Sequence, residues 1–490
     1  MVDWNHTELN QLINSSDSMM DFLEGLHFEN RSVLVTGALG QTGSAMASLL
    51  SSLGATVYGV DQRPDDLPGG IIDVRGLSHS QFFDSHTIDA VLVSPGVPLT
   101  EALFQEARQR SIPLLGDLDL GYLYLKQKVK ATTQKQAYIV AITGTDGKST
   151  TTALVAHLLR EAGLSALECG NFGLPFSKAV TEDVLVYVCE CSSYQLEDIH
   201  YFRPDVAVVL NLAADHLDRY DSMADYVRAK LNLFSNQTVL DFAVIGPTVK
   251  EVSRSLDIFD FELPGKIQPT LHEVKTPPDE SARLGNATLD WSKFAADTAT
   301  NRKNAVMALK AIECLLKKMN EDRPGMSSDV FHERVLQGLK TFRGLPHRQE
   351  VVTERQGVVF VNDSKATTVH AALSAIASYN HKRIFLLLGG LDKNSDFSVL
   401  QESDQLRLYP FGRAADKIAA QTLVSRTFST LEDAFYAAAR DARRLTHYYA
   451  GQSESDCVLL LSPACASQDA YRNYKERGEH FRKLALAHAD

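Results

Sequence analysis

The stretch YIVAITGTDGKSTTTALVAHLLREAG, residues 138–163, decides the fold of this chain. An apolar run typical of a buried strand leads into a turn rich in glycine and threonine, and the apolar spacing of a helix then continues to Gly163. In such a turn the backbone N–H groups and the N-terminus of the helix face the same point, and this arrangement favours the binding of an anion there. The stretch therefore predicts a phosphate-binding loop between a parallel strand and a helix.

The predicted loop is shorter than the common phosphate-loop motif, G-x-x-x-x-G-K-[ST]. Only Thr145 and Asp146 separate Gly144 from the Gly-Lys-Ser of residues 147–149. The spacing indicates a phosphate loop of a different type. It also places a carboxylate beside the predicted phosphate, which is unfavourable unless a divalent cation or a lysine offsets the repulsion.

The composition is that of an ordinary globular protein. The chain has 490 residues, of which 44% are hydrophobic and 22% charged, and the formal net charge is -12. The length predicts about three domains. Because a nucleic-acid-binding surface needs a basic face, the acidic balance argues against nucleic acid as a partner, but it leaves room for a small basic pocket.

The sequence shows no signal for export or for membrane insertion. The first 20 residues have neither a basic segment nor an apolar segment of the kind found in signal peptides. No apolar run approaches the roughly 18 residues of a membrane span, and the cysteines show no zinc-ligand or disulfide-rich spacing. We therefore expect a cytoplasmic protein with no membrane partner.

Strand-like and helix-like patterns alternate along the chain, which predicts the α/β class with mostly parallel sheets. We predict three domains, namely residues 1–116, 117–344 and 345–490, with an N-terminal extension of about 30 residues in the first. The first and third domains are expected to be Rossmann-like. The central domain is expected to be of the P-loop type, with a mostly parallel sheet.

The first domain begins with a second glycine-rich turn. Residues 32–63 have the pattern strand, turn, helix, strand, with Gly37, Gly40 and Gly43 in the turn and Asp61 at the end of the second strand. Glycines in this position let the backbone approach a phosphate, and the acidic residue can accept a hydrogen bond from a sugar hydroxyl. The pattern favours a nucleotide diphosphate or a dinucleotide as ligand.

Polar residues follow several other predicted strands. Ser94 and Gly96 end a strand of the first domain, while Glu190, Asp215 and His216 follow strands of the second. Because the carboxyl ends of parallel strands meet at one edge of a sheet, these groups should lie near the two glycine turns. Carboxylates beside a phosphate loop suit Mg²⁺, so we predict a magnesium site in the second domain.

The third domain has its own set of polar residues after predicted strands. The set consists of Asp363, Lys365, Thr367, Lys393 and Ser467. Together with Arg348, its two lysines form a concentration of positive charge in an otherwise acidic chain. This concentration predicts an anion site.

An ordered set of motifs resembles a known family. GTDGKST (144–150), GNFGLP (170–175), ECSSYQLE (190–197) and DHLDRY (215–220) are followed by GLPHR, NDSKAT, LLGGLDK and SPACAS. In this order they are similar to the Mur ligases of peptidoglycan assembly. Within that family they resemble the branch that joins D-glutamate to UDP-N-acetylmuramoyl-L-alanine, and the resemblance extends over residues 32–482.

The resemblance implies a reaction. These ligases transfer the γ-phosphate of ATP to a carboxylate, and the amine of the amino acid then attacks the acyl phosphate, giving an amide, ADP and phosphate. The substrates implied are ATP, UDP-N-acetylmuramoyl-L-alanine and D-glutamate, with two Mg²⁺ ions as cofactors and a monomeric enzyme. Phosphorylation makes chemical sense because it turns a carboxylate oxygen into a leaving group, after which the enzyme must position the reactants and neutralise charge.

The resemblance also implies roles for matching residues on the nucleotide side. The catalytic residues would be Lys148, Glu190, His216, Lys230 and Arg348. The residues around ATP would be Gly144, Thr145, Asp146, Gly147, Lys148, Ser149, Thr150, Asn171, Asn301, Asn304 and Arg348. The metal ligands would be Ser149, Glu190, His216 and Lys230, the last as a carbamate. From the sequence alone, Lys230 would be predicted to be an exposed lysine on a helix.

Two further sets follow from the same resemblance. The uridine-diphosphate site would comprise Gln41, Thr42, Asp61, Arg63, Ser94 and Gly96. The glutamate pocket would comprise Lys365, Thr367, Lys393, Ser467 and Tyr474.

The chain departs from the family pattern at several positions. Asp146 stands in the phosphate loop where Asn is usual, Thr300 stands where His is usual near the adenine, and Thr368 and Gln468 replace the usual residues beside the glutamate pocket.

Three alternatives remain open from the sequence. One is another ligase of the superfamily that uses L-glutamate or a folylpolyglutamate-type substrate. A second is an NAD-dependent oxidoreductase that uses the first glycine turn and Asp61, although this would leave Lys148, Glu190 and Lys230 without a role. A third is a weakened homologue, suggested by Asp146 and Thr300.

Overall fold

The computed structural model describes residues 28–131, 137–213, 215, 219–258, 269–274, 281–322, 328–392, 394–448 and 457–488. The chain divides into two compact units, which are residues 1–290 with 304–339, and residues 291–303 with 340–490. We call them unit 1 and unit 2. His216, Lys393 and most of the predicted N-terminal extension lie outside the described residues.

Unit 1 contains a five-stranded parallel sheet with the order β3-β2-β1-β4-β5. Its strands are β1 (Ser32–Thr36), β2 (Thr56–Val60), β3 (Ile71–Asp73), β4 (Ala90–Val93) and β5 (Leu114–Gly116), with helices α1 (Gln41–Ser52), α2 (His79–Ser85) and α3 (Ala102–Gln109) between them and α4 (Asp117–Ala131) after them. Val33 and Val35 pack into the core on one face, and Leu34 packs into the core on the other. Helices cover both faces of such a sheet, which explains why its strands are continuous apolar runs.

A second parallel sheet in unit 1 has the order β11-β10-β9-β6-β8-β7. Its strands are β6 (Tyr138–Thr143), β7 (Ala166–Gly170), β8 (Val186–Glu190), β9 (Val206–Val209), β10 (Phe242–Ile245) and β11 (Thr270–Glu273), accompanied by α5 (Lys148–Glu161), α6 (Phe176–Ala179), α7 (Ser193–Leu196), α8 (Met223–Leu231) and α9 (Pro247–Ser255). Every residue of β6 is buried. The central strand thus carries the phosphate loop at the point where the strand order reverses, which is where open α/β sheets bind ligands.

An antiparallel hairpin and two helices follow. They are β12 (Ser281–Leu284), β13 (Ala287–Asp290), α10 (Ala299–Asp322) and α11 (Asp329–Gly338). The residues that begin α10 are assigned to unit 2, and the helix belongs to unit 1 from Asn304 onward.

Unit 2 contains a five-stranded sheet with the order β14-β15-β18-β16-β17, in which only the β14–β15 pair is antiparallel among the pairs described. Its strands are β14 (Glu350–Arg355), β15 (Val358–Asn362), β16 (Arg383–Gly389), β17 (Leu406–Phe411) and β18 (Cys457–Leu461), and its helices are α12 (Val369–Ser378), α13 (Ala415–Thr422), α14 (Leu431–Tyr448) and α15 (Tyr474–Ala487). Apolar cores lie on both faces.

The structure confirms the predicted α/β class with mostly parallel sheets. The three large sheets fall within the three predicted domains, while the boundaries at residues 116 and 344 stay a prediction. In the part of the chain that is described, no helix has both the length and the apolar character needed to cross a membrane.

Candidate active site

The phosphate loop joins β6 to α5 and depends on glycine at both ends. Gly144 has φ 151° and Gly147 has φ 80°, backbone conformations that other residues rarely adopt. A Cβ on Gly147 would lie 2.4 Å from the side-chain oxygen of Asn304. Asn304 therefore lies directly against the loop, and its place beside a nucleotide stays a prediction.

Asn211, just after β9, fixes the loop through three hydrogen bonds. Its backbone oxygen accepts from the N–H of Thr145 at 3.1 Å, and its side-chain oxygen accepts from the N–H of Asp146 at 2.9 Å. Its side-chain N–H₂ donates to the Asp146 carbonyl at 3.1 Å. The Thr145 hydroxyl also lies 3.1 Å from the Tyr226 hydroxyl. Hydrogen bonds within the protein thus shape the loop.

Two lysines meet at one carbonyl of the loop. Lys148 donates to the carbonyls of Gly144 and Thr145 at 2.9 and 2.7 Å, and Lys230 donates to the same Gly144 oxygen at 2.8 Å. Lys230 is 1% exposed, and its ammonium lies 4.7 Å from the centre of the Tyr226 ring. Burial first, and then the charge of Lys148, hold the pKa of Lys230 well below its usual value. A residue that the sequence alone would place on the surface is therefore buried at the site.

A hydroxyl and two carboxyl-bearing side chains lie at the same sheet edge. Glu190, at the end of β8, is 2% exposed; it accepts a hydrogen bond from the Ser149 hydroxyl and another from the Asn171 amide at 2.6 Å. Asp215 is close enough to act electrostatically on Lys230. The structure therefore brings together Ser149, Asn171 and Glu190.

This donor set fits a hard divalent cation. Carboxylate and hydroxyl oxygens are the ligands that Mg²⁺ prefers, and it commonly keeps only one or two protein carboxylates beside phosphate oxygens and water. Across the described ranges, no three side chains of His, Cys, Asp or Glu come close enough to bind a metal by themselves. Ser149 and Glu190 thus suit a cation shared with phosphate rather than a closed protein cage.

In the first sheet, the glycine turn and the Ser-Pro-Gly turn meet at the carboxyl ends of β1 and β4, where the strand order reverses. The Ser94 hydroxyl donates to the Thr36 carbonyl at 2.6 Å, and a Cβ on Gly37 would lie 3.0 Å from Ser94. A Cβ on Gly43 would lie 2.2 Å from the Gly37 oxygen. Gly37 and Gly43, two of the three predicted glycines, are therefore required because a side chain at either position would collide with its neighbours. Gln41 and Thr42 begin α1 at this edge, and Gly96 is exposed just beyond Ser94.

Asp61 and Arg63 form an ion pair next to this turn. The Asp61 carboxylate accepts from the Leu39 N–H at 2.9 Å and from the Arg63 guanidinium through two bonds of 3.0 Å. The hydrogen bonds from Arg63 lower the pKa of Asp61 below its ordinary value. The Arg63 backbone oxygen in turn accepts from Arg75 at 2.6 Å, so the segment that carries Arg63 is held in place.

In unit 2, several predicted pocket residues lie at the carboxyl edge of the sheet. The Lys365 N–H donates to the His347 carbonyl at 3.1 Å, and the Lys365 ammonium lies 4.3 Å from the centre of the Tyr474 ring. Asp363 accepts from the Ser462 hydroxyl at 3.0 Å. Thr367 follows on the same turn, and Ser467, 2% exposed, follows β18.

Two of the residues predicted to contact the nucleotide, Asn301 and Arg348, lie in unit 2. Asn301 belongs to unit 2, where its amide donates to the Ala296 carbonyl at 2.9 Å. Thr300 shares a hydrogen bond of 2.9 Å with Ser378. Arg348 lies in the turn before β14, where its N–H donates to the Leu345 carbonyl at 3.2 Å.

Comparison with known proteins decides the family. The model of the Mur ligase middle domain matches residues 142–257. The UDP-N-acetylmuramoylalanine--D-glutamate ligase of Natranaerobius thermophilus is 33% identical over 81% of this chain and 84% of its own length. The protein of the same name from Pelotomaculum thermopropionicum is 33% identical over 94% of this chain and 98% of its own. The chain belongs to the Mur ligase family.

A solved structure agrees with this assignment at the level of fold. The MurF ligase from Thermotoga maritima, in complex with ADP, is similar over 94% of this chain and 96% of its own, with a TM-score of 0.51 and 14% identity. At that identity the likeness concerns the fold. This Mur ligase therefore shares the multi-domain α/β architecture of its relatives, and it is a ligase.

Sequence reasoning missed a pocket in unit 1 of this Mur ligase. It is lined by Val93, Pro95, Val97, Leu99, Gly116, Asp117, Tyr194, Gln195, Glu197, Asp198 and Arg219. The Arg219 guanidinium donates to the Glu197 carboxylate at 3.1 and 2.8 Å and lies 4.5 Å from the centre of the Tyr194 ring. These three residues lie in the motifs ECSSYQLE and DHLDRY, so the signal was present, but spacing could not show that both motifs face one pocket.

Sequence reasoning also missed Arg477, a buried cation in unit 2. It is fully buried, and it donates to the hydroxyl and carbonyl of Ser364 and to the carbonyls of Gly389, Cys465 and Ala466 at 2.9–3.3 Å. Burial lowers its pKa to about 10. One guanidinium thereby joins the ends of β15, β16 and β18, the strands whose turns carry the predicted glutamate pocket.

Proposed function

We propose that this Mur ligase adds D-glutamate to UDP-N-acetylmuramoyl-L-alanine, with ATP as the energy source, in the synthesis of peptidoglycan precursors. One observation carries the proposal. Lys148, Lys230 and the Ser149–Glu190 pair converge on the shortened phosphate loop, in a chain whose curated relatives carry the name of that ligase.

The loop binds the phosphates of ATP. Its backbone N–H groups and the N-terminus of α5 supply positive partial charge, and Lys148 supplies a full charge that can exchange its two loop carbonyls for phosphate oxygens. Asn304, which lies against Gly147, is placed beside the nucleotide. The MurF ligase from Thermotoga maritima was solved in complex with ADP, which supports nucleotide binding by this fold.

Ser149 and Glu190 hold a divalent cation, with His216 as the further ligand that the family motif implies. When bound, the cation offsets negative charge on the phosphates. Asn171 keeps the Glu190 carboxylate in place through its hydrogen bond of 2.6 Å. Ser149 is the second residue of α5 and Glu190 is the last residue of β8, so both donors are fixed by secondary structure.

The chemical step is the activation of a carboxylate. The terminal carboxylate of the muramoyl-alanine substrate attacks the γ-phosphorus of ATP, the bond to ADP breaks, and an acyl phosphate forms. The amine of D-glutamate then attacks the carbonyl carbon, loses a proton and expels phosphate. The protein supplies positioning and charge stabilisation rather than a covalent link to the substrate.

Lys230 acts as a carbamate. Its amine attacks carbon dioxide and loses a proton, so a cation becomes an anion with two oxygen ligands. Burial and the neighbouring Lys148 favour the neutral amine that this reaction requires. The carbamate oxygens then provide a second oxygen donor group beside the loop.

The other two substrates bind at the other two sheet edges. Asp61, Arg63 and the turn at Ser94 hold the uridine diphosphate. Lys365, with Thr367, Ser467, Tyr474 and the family-implied Lys393, holds the carboxylates of glutamate, because ammonium and hydroxyl groups suit a dicarboxylate. The resemblance to the family also assigns Arg348 to the γ-phosphate and Asn301 to the adenine side.

The test is ATP-dependent phosphate release with UDP-N-acetylmuramoyl-L-alanine, with D-glutamate and L-glutamate in separate reactions. Release with D-glutamate alone supports the proposal. Release with L-glutamate alone would keep the acyl-phosphate chemistry but reassign the pocket of unit 2. Absence of release with both amino acids, in an enzyme that binds Mg²⁺ and ADP, would refute the proposed substrates.

A further inference from the structure

The turn before β14 has a strained backbone on both sides of Arg348. His347 has φ 64° and Gln349 has φ 47°, so both residues adopt the left-handed conformation that favours glycine. This conformation is costly for a residue that has a side chain, and it persists only where the surrounding structure imposes it. The contacts of His347 and Gln349 therefore determine the shape of the turn that carries Arg348.

Hydrogen bonds join this turn to the end of β15 and to the turn that follows it. The His347 carbonyl accepts from the Lys365 N–H at 3.1 Å, and the Gln349 N–H donates to the Asp363 carboxylate at 3.1 Å. A further bond joins the His347 ring to the Asn362 side chain, with 2.9 Å between Nδ1 and Nδ2. Since Lys365 belongs to the predicted glutamate pocket, the turn is bonded directly to a residue of that pocket.

Helix α15 packs closely against the His347 ring, which is 6% exposed. A Cβ on Gly478 would lie 2.2 Å from Nδ1 of His347, so the helix can approach the ring only with glycine at that position. Glycine is otherwise unfavourable within a helix. The Tyr474 ring lies edge-on to the imidazole, with 6.2 Å between the ring centres. The packing therefore leaves the ring little freedom to turn.

The neighbours of Asn362 determine which nitrogen of the His347 ring carries the proton. The Asn362 side-chain nitrogen lies 3.2 Å from the Gly478 carbonyl oxygen and 3.3 Å from a Glu350 carboxylate oxygen, while its side-chain oxygen accepts from the Ser364 N–H at 3.3 Å. Asn362 is thus the donor towards His347, and we assign the neutral ring with its proton on Nε2. Burial lowers the pKa of His347, in agreement with a neutral ring.

We propose that His347 is a positioning residue, which holds the turn that carries Arg348 on the turn that carries Lys365. This inference rests on the proposed function, in which Arg348 contacts the γ-phosphate and Lys365 contacts the carboxylates of glutamate. The amine of glutamate must reach the carbonyl carbon of the acyl phosphate, so the two cations have to keep a fixed separation. A misplacement of about 1 Å can cost roughly a hundredfold in rate.

The experiment measures kcat as ATP-dependent phosphate release with UDP-N-acetylmuramoyl-L-alanine and D-glutamate. His347→Phe keeps a ring of similar size but has no nitrogen to accept the hydrogen bond from Asn362. His347→Asn keeps an acceptor near the position of Nδ1, and asparagine tolerates the left-handed backbone. The matched control is His381→Phe, which replaces an exposed histidine between α12 and β16.

A double-mutant cycle with Arg348→Ala separates positioning from a general loss of structure. If His347 acts through Arg348, then His347→Phe should have little further effect once Arg348 has been replaced. A loss of folded protein would instead lower kcat by the same factor in both backgrounds. The thermal midpoint of each variant, followed by circular dichroism, shows whether it is folded.

The expected result is a kcat about tenfold lower in His347→Phe than in the unmodified chain, and within about threefold of the unmodified chain in His347→Asn. In the Arg348→Ala background, His347→Phe should change kcat by less than about twofold. His381→Phe should have no effect in either background. If His347→Phe does not fold, Gly478→Ala tests the same contact with the same expected results, because its methyl group displaces the ring while alanine favours a helix.

The outcomes that overturn the inference are distinguishable from a failure of the proposed function. If Arg348→Ala lowers kcat but His347→Phe does not, or lowers it equally in both backgrounds, His347 does not position Arg348 and the proposed function stands. Equal losses in His347→Phe and His347→Asn would likewise exclude the hydrogen bond from Asn362 as the cause. If Arg348→Ala keeps the kcat of the unmodified chain, Arg348 has no role that His347 could support. If the unmodified chain releases no phosphate, the proposed function is wrong and the inference falls with it.

Discussion

The phosphate loop of unit 1 and the strand-end turns of unit 2 differ in the charged groups that they present. At the loop, Lys148 and the carboxylates of Asp146, Glu190 and Asp215 all act on the buried Lys230. At the edge of unit 2, the buried Arg477 bonds only to neutral oxygens, and Lys365 lies over an aromatic ring. The difference agrees with the ligands proposed for each edge, which are phosphates with a divalent cation at the first and an anionic amino acid at the second.

The two edges are also held together differently. Hydrogen bonds between Asn211 and the backbone of Thr145 and Asp146 hold the loop. A single guanidinium, that of Arg477, fixes the turns of unit 2. Substitutions of charged residues should therefore change function with little change in stability in unit 1, whereas in unit 2 the loss of Arg477 should change both.

The largest effect is expected for Lys148→Ala. Its ammonium donates to the carbonyls of Gly144 and Thr145, and no other described cation begins α5. We expect turnover, measured as phosphate release, to fall by about a thousandfold or more. The control is Lys178→Ala, an exposed lysine in α6. Turnover of Lys148→Ala within tenfold of the parent would contradict the assigned role.

A somewhat smaller loss is expected for Lys230→Ala, of about a hundredfold or more. The substitution removes a 1% exposed side chain and leaves room at the loop. If Lys230 acts as a carbamate, short carboxylic acids such as formate, acetate and propionate should restore part of the turnover. The same acids should not rescue Lys148→Ala, which serves as the control. Absence of rescue by every acid would count against the carbamate.

The sequence predicted the phosphate loop and the metal site of unit 1, because both follow from the geometry of a parallel sheet. A strand, a glycine turn and a helix implied the loop, and strand-end carboxylates implied a metal site, because the carboxyl ends of parallel strands meet at one edge of the sheet.

Arg477 could not be predicted in the same way. An arginine in a helix is normally an exposed residue, and its burial depends on three turns from distant parts of the chain. The antiparallel edge strand β14 was also not predicted, since its half-exposed residues give no clear apolar run.

The burial of Lys230 shows a second limit. Its helix, α8, carries exposed charged residues, and a lysine in such a helix is ordinarily expected to be exposed as well. The interpretation depended on resemblance to a family, and the structure supplies the physical reason, which is a hydrogen bond to the Gly144 carbonyl across the sheet edge. Such contacts between distant segments are not encoded in local pattern.

In unit 2, Arg477→Met should reduce both stability and affinity for the amino acid. The change keeps an apolar stem but leaves several buried carbonyls without a donor, which should lower the free energy of unfolding by about 3 kcal/mol. We expect the KM for glutamate to rise about tenfold and the KM for ATP to change little. Arg477→Lys keeps a positive charge but lacks the planar guanidinium with its several N–H donors. It should therefore recover only part of the lost stability and of the lost affinity for glutamate.

The matched control for Arg477 is Arg472→Met, a highly exposed residue of the same unit. Urea unfolding gives the stability and steady-state kinetics gives the two KM values. If Arg477→Met raised the KM for ATP as much as that for glutamate, the guanidinium would not act through the glutamate pocket alone, and the contrast between the two edges would weaken.

The smallest effect is expected at the first sheet, where opposite charges are already paired and partly exposed. Arg75 donates to the carbonyls of Arg63 and Asp65 at 2.6 and 3.0 Å and pairs with Asp73, so it steadies the segment that carries Arg63. Arg75→Ala should raise the KM for the uridine substrate about two- to fivefold and leave kcat unchanged, because exposed pairs contribute little.

Arg110→Ala is the control for Arg75, because Arg110 also pairs with two carboxylates, but these belong to Asp84 and Glu106 on helices α2 and α3, outside the predicted uridine site. It should leave the KM for the uridine substrate unchanged. A change in kcat for Arg75→Ala would mean that the first sheet takes part in the chemical step. A rise in KM confined to the uridine substrate would instead show that this edge serves binding alone, unlike the phosphate loop, whose charged residues are expected to serve both.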